Sequence, residues 1–435
     1  MALTRSSKKF SEMRVMPREM KDTGIEWIGK VPKDWDIVRL QYALSEILVK
    51  NDPIQTEEIL SLTKDRGVIP YEDKGNQGNK SKTTLTDYKL AYPDTIVMNS
   101  MNVIIGSVGL SEYFGCVSPV YYVFKAKYNN EIRFFNYIFQ TPIFQKELKK
   151  YANGILEIRL RVSSENVLKR KVALPNYEEQ KKIADLLDKK CQEVEDIKET
   201  IEAEIKTLDE YKKSIITEAV TKGLDKGAEM KDSGIEWIGQ IPKHWKVHRI
   251  SKYFYEGKDK NILGKETNLL SLSYGNIIRK DINTLTGLLP ENFNTYNIVE
   301  KGDIIIRPTD LQNDKKSLRT GLVKERGIIT SAYIDLKPYI FTLSKYFHYL
   351  LHSYDLKKVF YNMGSGVRQG LNYSEFAKLL VMEPPINEQK AIADYLDHKT
   401  SAINEAIDGK RAQLVALDEY KKSIIYEYVT GKKEA

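Results

Sequence analysis

The chain repeats itself at a fixed distance. MKDTGIEWIGKVPKDWDIVRL at residues 20–40 returns 210 residues later as MKDSGIEWIGQIPKHWKVHRI at 230–250. EEQKKIADLLDKK at 178–190 returns as NEQKAIADYLDHK at 387–399, and LDEYKKSII at 208–216 returns unchanged at 417–425, both 209 residues on. Three separate anchors at spacings of 210, 209 and 209 residues mean two units of nearly equal length. Stacked repeats that stabilise one another run about 20–50 residues and occur three or more times, so two units this long read as whole domains with their connecting elements. Between the anchors the likeness thins: SLTKDRGVIP at 61–70 stands opposite SLSYGNIIRK at 271–280, and YPDTIVMNS opposite EKGDIIIRP. Shared ends with divergent middles describe one scaffold carrying two different surfaces.

Each unit changes character partway. Residues 36–175 and 246–385 mix short runs rich in Val, Ile, Tyr and Phe with Gly, Asn, Asp and Pro turns. TIVMNSMNVIIGSVG at 95–109, VYYVFKA at 120–126, GDIIIRP at 302–308 and IITSAYIDL at 328–336 read as strands. RFFNYIFQTPIFQKELKKY at 133–151 and LSKYFHYLLHSYDLKKVFYN at 343–362 read as interrupted helices, which together give a compact α+β domain in each unit. After Pro175, and after Pro384 and Pro385, long segments without proline follow.

These segments carry heptads. Leu187, Val194, Ile201, Leu208 and Ile215 lie seven apart, with Ile197, Ile205 and Tyr211 widening the stripe. Leu396, Ile403, Leu417 and Ile424 hold one position in the second copy, with Ile407, Leu414 and Tyr428 beside it and Lys410 where an apolar residue is expected. Two striped helices want a partner, and the nearest partner is the other copy. A helix of about 45 residues would extend roughly 65 Å at about 1.5 Å per residue, more than the width of a small domain. The expected division is therefore an extension at 1–19, a first domain at 20–177, its helix at 178–222, a linker at 223–229, a second domain at 230–386, its helix at 387–430 and a tail at 431–435.

With 435 residues and 41% hydrophobic content, the chain has material for more than one core. Its formal charge is +8, while residues 178–222 hold 13 acidic against 9 basic side chains, a net of −4 that leaves +12 for the remainder. That excess suits a polyanion, and duplex DNA in particular, through phosphate neutralisation and counterion release. No long apolar stretch suggests a membrane span and the start carries no apolar signal core, so a cytoplasmic location is expected. Cys116 and Cys191 are too few and too isolated for a disulfide framework or a zinc site.

Residues able to contact DNA cluster in both domains. Lys64, Arg66, Lys74, Asn76, Gln77, Lys80 and Lys82 lie in a Gly-rich polar stretch, and Asn99 and Asn102 follow a strand end. The second domain offers Tyr274, Asn276, Arg279, Arg307, Thr309, Asp310, Asn313, Lys315, Lys316 and Arg319, while Arg368 and Gln369 in GSGVRQGL are placed to meet a phosphate. Asn, Gln and Arg pair bidentately with base edges; Lys meets mostly phosphate. The repeated Trp27, Trp35, Trp237 and Trp245 read first as packing at the domain entrance. Catalytic signals are weak. HYLLH at 348–352 lacks the glutamate of HExxH, GNKS at 78–81 is no phosphate loop, and no GxGxxG occurs. Pro93-Asp94 has no acidic-x-Lys partner nearby, and MEPPI lacks the residues of an amino-methyltransferase loop.

The IEWIGxxPxxW segment before each variable domain, the LP- or PP-xxEQxxIAdxLD that opens each helix and the LDEYKKSII tail resemble the specificity subunit of a type I restriction-modification system over nearly the whole chain. The resemblance implies two target-recognition domains, each followed by a long helix, with the helices paired as an antiparallel coiled coil. It implies a non-catalytic subunit that reads a bipartite target in double-stranded DNA and positions two methyltransferase subunits and restriction-translocase subunits. S-adenosylmethionine, Mg and ATP would then belong to those partners, with adenine-N6 as the methylated atom in a base flipped by them. A subunit of a related type II system, and an assembly scaffold that reads no DNA, are the other readings.

Overall fold

In the first unit the apolar runs form an antiparallel four-stranded sheet. The computed structural model describes residues 18–63, 66–75, 84–101, 107–153, 160–282, 292–309, 318–363 and 370–435. The chain divides into two compact units, Met1–Thr200 with Ala412–Ala435, and Ile201–Arg411.

The first unit contains β1 (Asp36–Arg39), β2 (Leu44–Glu46), β3 (Leu60–Thr63), β4 (Gly67–Pro70), β5 (Thr95–Asn99), β6 (Val108–Ser111) and β7 (Tyr121–Ala126). The sheet runs β2-β7-β5-β6, with Phe124 opposite Ile96 and Thr95 opposite Ser111. β5 is buried along its whole length, with the apolar Ile96, Val97 and Met98 at the sheet centre between Thr95 and Asn99. α1 (Ile132–Gln140) lays Phe134, Phe135, Ile138 and Phe139 into the core that holds Ile96 and Phe124. It stops where Thr141 and Pro142 open a new helix, Pro at the first turn lacking an N–H it does not need. β3 and β4 form a separate hairpin, and β8 (Lys171–Leu174) returns to pair with β1, Val172 opposite Val38.

α2 (Tyr177–Lys222) follows at once. Asn176 Oδ1 accepts the N–H of Glu179 at 3.0 Å, an N-cap that fixes where the helix begins. Within the first unit, residues 177–200 of α2 pack on the C-terminal end of the second long helix. Leu187 and Cys191 share a core with Ile425 and Val429, Glu195 pairs with Lys421 at 2.8 Å, and Lys198 pairs with Asp418 at 2.9 Å.

The second unit repeats this plan strand for strand. It contains β9 (Lys246–Arg249), β10 (Phe254–Glu256), β11 (Leu270–Ser273), β12 (Asn276–Arg279), β13 (Ile304–Ile306), β14 (Thr320–Leu322), β15 (Ile334–Pro338), α3 (Ser344–Leu356), β16 (Leu380–Glu383) and α4 (Ile386–Val429). Its sheet runs β10-β15-β13-β14, with Ile304 between Leu336 and Leu322. β11 and β12 form the hairpin, and β16 pairs with β9, Val381 opposite His248. α3 buries Tyr346, Phe347, Leu350, Leu351 and Tyr354. Ile216, Ala219 and Val220 from the end of α2 enter the same core beside Ile392 and Leu396 of α4.

Along the helix pair the partner's number falls as the residue number rises. In the second unit Glu204 meets Lys410 and Lys212 meets Asn404 at 3.0 Å, while Ile215, Ile403 and Ile407 form a cluster with Ile205 and Leu208. The helices are thus antiparallel within each unit. Leu187, Val194, Ile201, Ile215, Leu396, Ile403 and Ile424 are buried, and Leu208 and Leu417 are half-buried. The stripe is narrower than its sequence: Ile197 and Tyr211 are about half exposed, since a two-helix seam covers only the a and d positions. Lys410, the apparent break in the heptad, leaves the seam for Glu204.

Candidate nucleic-acid interface

The second unit opens into a cleft of about 1920 Å³ between residues 209–222 of α2, the β11–β12 hairpin, α3 and residues 397–404 of α4. Such a volume exceeds the roughly 300–1,000 Å³ of a small-molecule pocket. Eight lysines line it against three carboxylates, Asp209, Glu218 and Asp397. Some lysines are committed: Lys345 holds Asp397 at 2.7 Å, and Lys212 reaches Asp209 at 3.1 Å. Lys213, Lys301, Lys324 and Lys357 are exposed. A positive, open trough of this kind holds a polyanionic backbone.

The hairpin supplies the cleft's polar tip. Ser273 and Asn276 face each other, so Tyr274 and Gly275 alone make the turn, at φ +45° and +81°. Positive φ at both residues is the twist that matches a two-residue turn to its strands. Tyr274 is thereby held 77% exposed on a rigid support, with Asn276 beside it, its Nδ2 3.4 Å from the carbonyl of Tyr274. An aromatic face and an amide at one tip suit stacking and base-edge pairing.

The corresponding hairpin of the first unit carries Arg66. Its Nη2 donates to the Asp73 carbonyl at 2.8 Å, and Lys74 lies 5.3 Å over the Tyr71 ring, so these two cations are brought to one turn. Asn99 is not on the surface: it is 8% exposed and its Oδ1 accepts the Met101 N–H at 3.0 Å. Arg319, expected to face DNA, has no exposed area. Its Nη1 donates to the carbonyl of Thr309, its Nε lies 3.3 Å from Tyr361 Oη, and its own N–H donates to Asp355. It holds in place the segment bearing the half-buried Arg307 and the exposed Thr309. Arg279 pairs with Glu325 on the surface. Lys64, Asn76, Gln77, Lys80, Lys82, Asn102, Asp310, Asn313, Lys315, Lys316, Arg368 and Gln369 lie outside the described residues.

Sequence reasoning missed the lysines of the cleft. The signal was present in YKK of LDEYKKSII, which marks a helix but does not say that Lys213 is left facing an open trough. His348 and His352 also line the cleft, half-buried, their rings 6.3 Å apart. Burial first, then neighbouring positive charge, pushes them down to about 3 and about 4, so both are neutral at pH 7. Among the described residues no group of three His, Cys, Asp or Glu is placed to hold a metal, and no helix is long and apolar enough to cross a membrane. Both cysteines are buried and unbridged.

The sequence matches the family described as type I restriction modification DNA specificity domain over residues 32–207 and again over 242–415. It is 25% identical over 431 residues to the type I restriction enzyme MjaVIII specificity subunit of Methanocaldococcus jannaschii, covering 93% of this chain and 94% of that one. It is 24% identical over 453 residues to the putative MjaX specificity subunit of the same organism, covering 93% and 95%. Among solved structures, a chain from a study of assembly and conformational transition in the type I R-M system aligns with a TM-score of 0.69 at 12% identity, over 93% of this chain and 99% of that one. The HsdS subunit from Thermoanaerobacter tengcongensis aligns at 0.52 with 14% identity, over 93% and 98%. Two matches to one domain family, falling on the two copies of the repeat, show that the chain belongs to the type I restriction modification DNA specificity family and serves as its sequence-specific DNA-recognition subunit.

Proposed function

We propose that the chain reads a bipartite target in double-stranded DNA, one half with residues 20–177 and the other with residues 230–386. In this reading the paired helices, 178–222 and 387–430, are the spacer that fixes how far apart the halves are read. The observation that carries it is the lysine-lined cleft with Tyr274 and Asn276 at its tip, in a chain whose fold is built twice. The lysines hold phosphates and set the register; the hairpin tip meets bases. Arg66 and Lys74 take the corresponding place in the first domain.

The chemistry belongs to partners. Two methyltransferase subunits using S-adenosylmethionine would flip and methylate one adenine in each half-site, and restriction-translocase subunits using ATP and Mg would act on unmodified DNA, all in the cytoplasm. The test is to assemble the chain with its methyltransferase and map methylated positions on random duplex DNA. Two short half-sites at a fixed gap are expected, and replacing residues 250–384 with another domain of this family should change one half only. A contiguous site, or a swap that alters both halves, overturns the reading.

A further inference from the structure

In each copy the domain helix grips the long helix through one aspartate. In the first unit Asp188 of α2 accepts the hydroxyl of Tyr137 at 2.5 Å through Oδ1 and an N–H of the Arg133 guanidinium at 2.6 Å through Oδ2. In the second unit Asp397 of α4 accepts the hydroxyl of Tyr349 at 2.8 Å through Oδ1 and the Lys345 ammonium at 2.7 Å through Oδ2. Arg133 and Tyr137, like Lys345 and Tyr349, are four residues apart and so share one face of α1 or of α3. The two aspartates close IADLLD and IADYLD and lie 209 residues apart, so the grip is built twice.

One attachment makes a pivot, and two make an angle. Trp35 also holds Glu179, and Trp245 holds Glu388, in each copy nine residues before the aspartate. Nine residues are about two and a half helical turns, so the two carboxylates stand about 13.5 Å apart along the axis and on opposite faces of the helix. Each domain therefore takes its helix from both sides, once with an indole and once with a cation and a tyrosine. Between these points Ile183 and Leu187 are buried in the core of the first unit, and Ile392 and Leu396 in that of the second. Apolar packing gives adhesion without direction, whereas the charge-assisted hydrogen bonds on either side are directional and fix the angle. A rotation of about 13° moves a surface about 15 Å away, the radius of gyration of a domain this size, by about 3.4 Å, one step of duplex DNA.

We propose that Asp188 and Asp397, each held by its tyrosine and its cation, are positioning residues that fix the angle of a recognition domain on its spacer helix and so hold the gap between half-sites to a single length. The inference rests on the bipartite reading and adds to it: the helices set the size of the gap, and the two clamps set its tightness. The clamps are unequal. Arg133 also reaches Asp185 at 2.8 Å and Glu131 at 3.0 Å and is 28% exposed. Lys345 pairs with Asp397 alone among the described residues and is 52% exposed. The half-site read by the second domain is therefore the one whose placement loosens first.

The test uses the full chain assembled with its methyltransferase and a pool of duplexes that carry both parent half-sites at gaps stepped by single base pairs; the bound duplexes are sequenced. The parent is expected to select one gap. Asp397→Ala removes both bonds while leaving a good helix former in α4, so it should accept gaps one base pair shorter and longer, its preference for the parent gap falling by roughly tenfold with the half-site sequences unchanged. Tyr349→Phe loses only a hydroxyl and should move the preference the same way by less. Asp397→Asn, whose carbonyl still accepts from Tyr349, should keep more of the preference than Asp397→Ala. Asp408→Ala removes a carboxylate of the same helix that pairs with Arg411 one turn on, and should keep the parent gap. An Asp397→Ala or Tyr349→Phe complex that selects the parent's single gap overturns the proposal, as does an Asp408→Ala complex that loosens the gap equally. A parent complex that selects no paired half-sites overturns the bipartite reading and this inference with it.

Discussion

Trp245 donates its indole N–H to Glu388 Oε1 at 3.0 Å, and Trp35 donates to Glu179 Oε2 at 3.1 Å. Both indoles are buried, and both carboxylates lie in the first turn of a long helix, where a negative charge is favoured. The bond ties the PxxW segment that opens each domain to the helix that closes it. Trp245→Phe keeps most of the packing and removes the bond, so it should destabilise the chain by about 1.5–3 kcal/mol, the range for hydrogen bonds to charged groups. Glu388→Gln, which can turn its carbonyl oxygen to the indole, should cost less. Urea midpoints at constant slope would measure both; a glutamine variant less stable than Trp245→Phe would count against the bond as the main connection.

The helix ends impose a second constraint. Gly223 and Gly431 follow α2 and α4 at φ +74° and +66°, the left-handed caps that favour glycine. A Cβ on Gly431 would stand 2.4 Å from Pro32 Cδ, and one on Gly223 would stand 2.9 Å from Glu388 Oε1. The proline ring cannot move aside, whereas a carboxylate can. Gly431→Ala should therefore cost more than Gly223→Ala, and both should exceed the roughly 1 kcal/mol of left-handed strain alone. Thermal unfolding of the two variants, compared with the parent chain, decides the order.

The frame was legible because its causes are local. Proline-free heptads dictate two long helices, and TIVMN or GDIII between turns dictates central strands whatever lies around them. Arg319 was not legible. Its burial depends on Asp355 and Tyr361, 36 and 42 residues away, which no local pattern connects to it. The hairpin tip lay between these cases, since SLSYGN announces a turn but lacks the Asn-Gly pair that would have marked its type.

Asp335 makes stability depend on pH. It is 1% exposed, and neither carboxylate oxygen has a hydrogen-bond partner among the described residues. Burial, and then the charge of Asp303, pushes its carboxyl up to about 8, with Lys337 pulling the other way. In the unfolded chain the group ionises near about 3.9. Between these values the folded state holds a proton that the unfolded state has released, so the contribution is complete below about pH 4 and is lost as pH rises through 8. Asp335→Asn cannot ionise, and its melting temperature relative to the parent should therefore rise from pH 5 to pH 9. A difference that stays flat or falls over that range would remove Asp335 as the cause.

The cleft and its tip should fail in different ways. Lys213 and Lys357 are exposed on its wall, where they would meet phosphates whatever the sequence. Changing either to Gln in the assembled complex should weaken binding to specific and random duplexes alike. It should also flatten the dependence of log affinity on log salt by about 0.9 for each phosphate that is no longer neutralised. Tyr274 touches a base if it touches DNA at all, because the turn holds its ring clear of the strands. Tyr274→Ala should leave the salt slope unchanged and relax preference at one position of one half-site, by about 1–3 kcal/mol if the ring stacks. Binding titrations at several salt concentrations, paired with selection from a randomised duplex pool, separate the two effects. A Tyr274 variant that lowers the slope, or a Lys213 variant that changes the selected sequence, would assign the two roles the other way round.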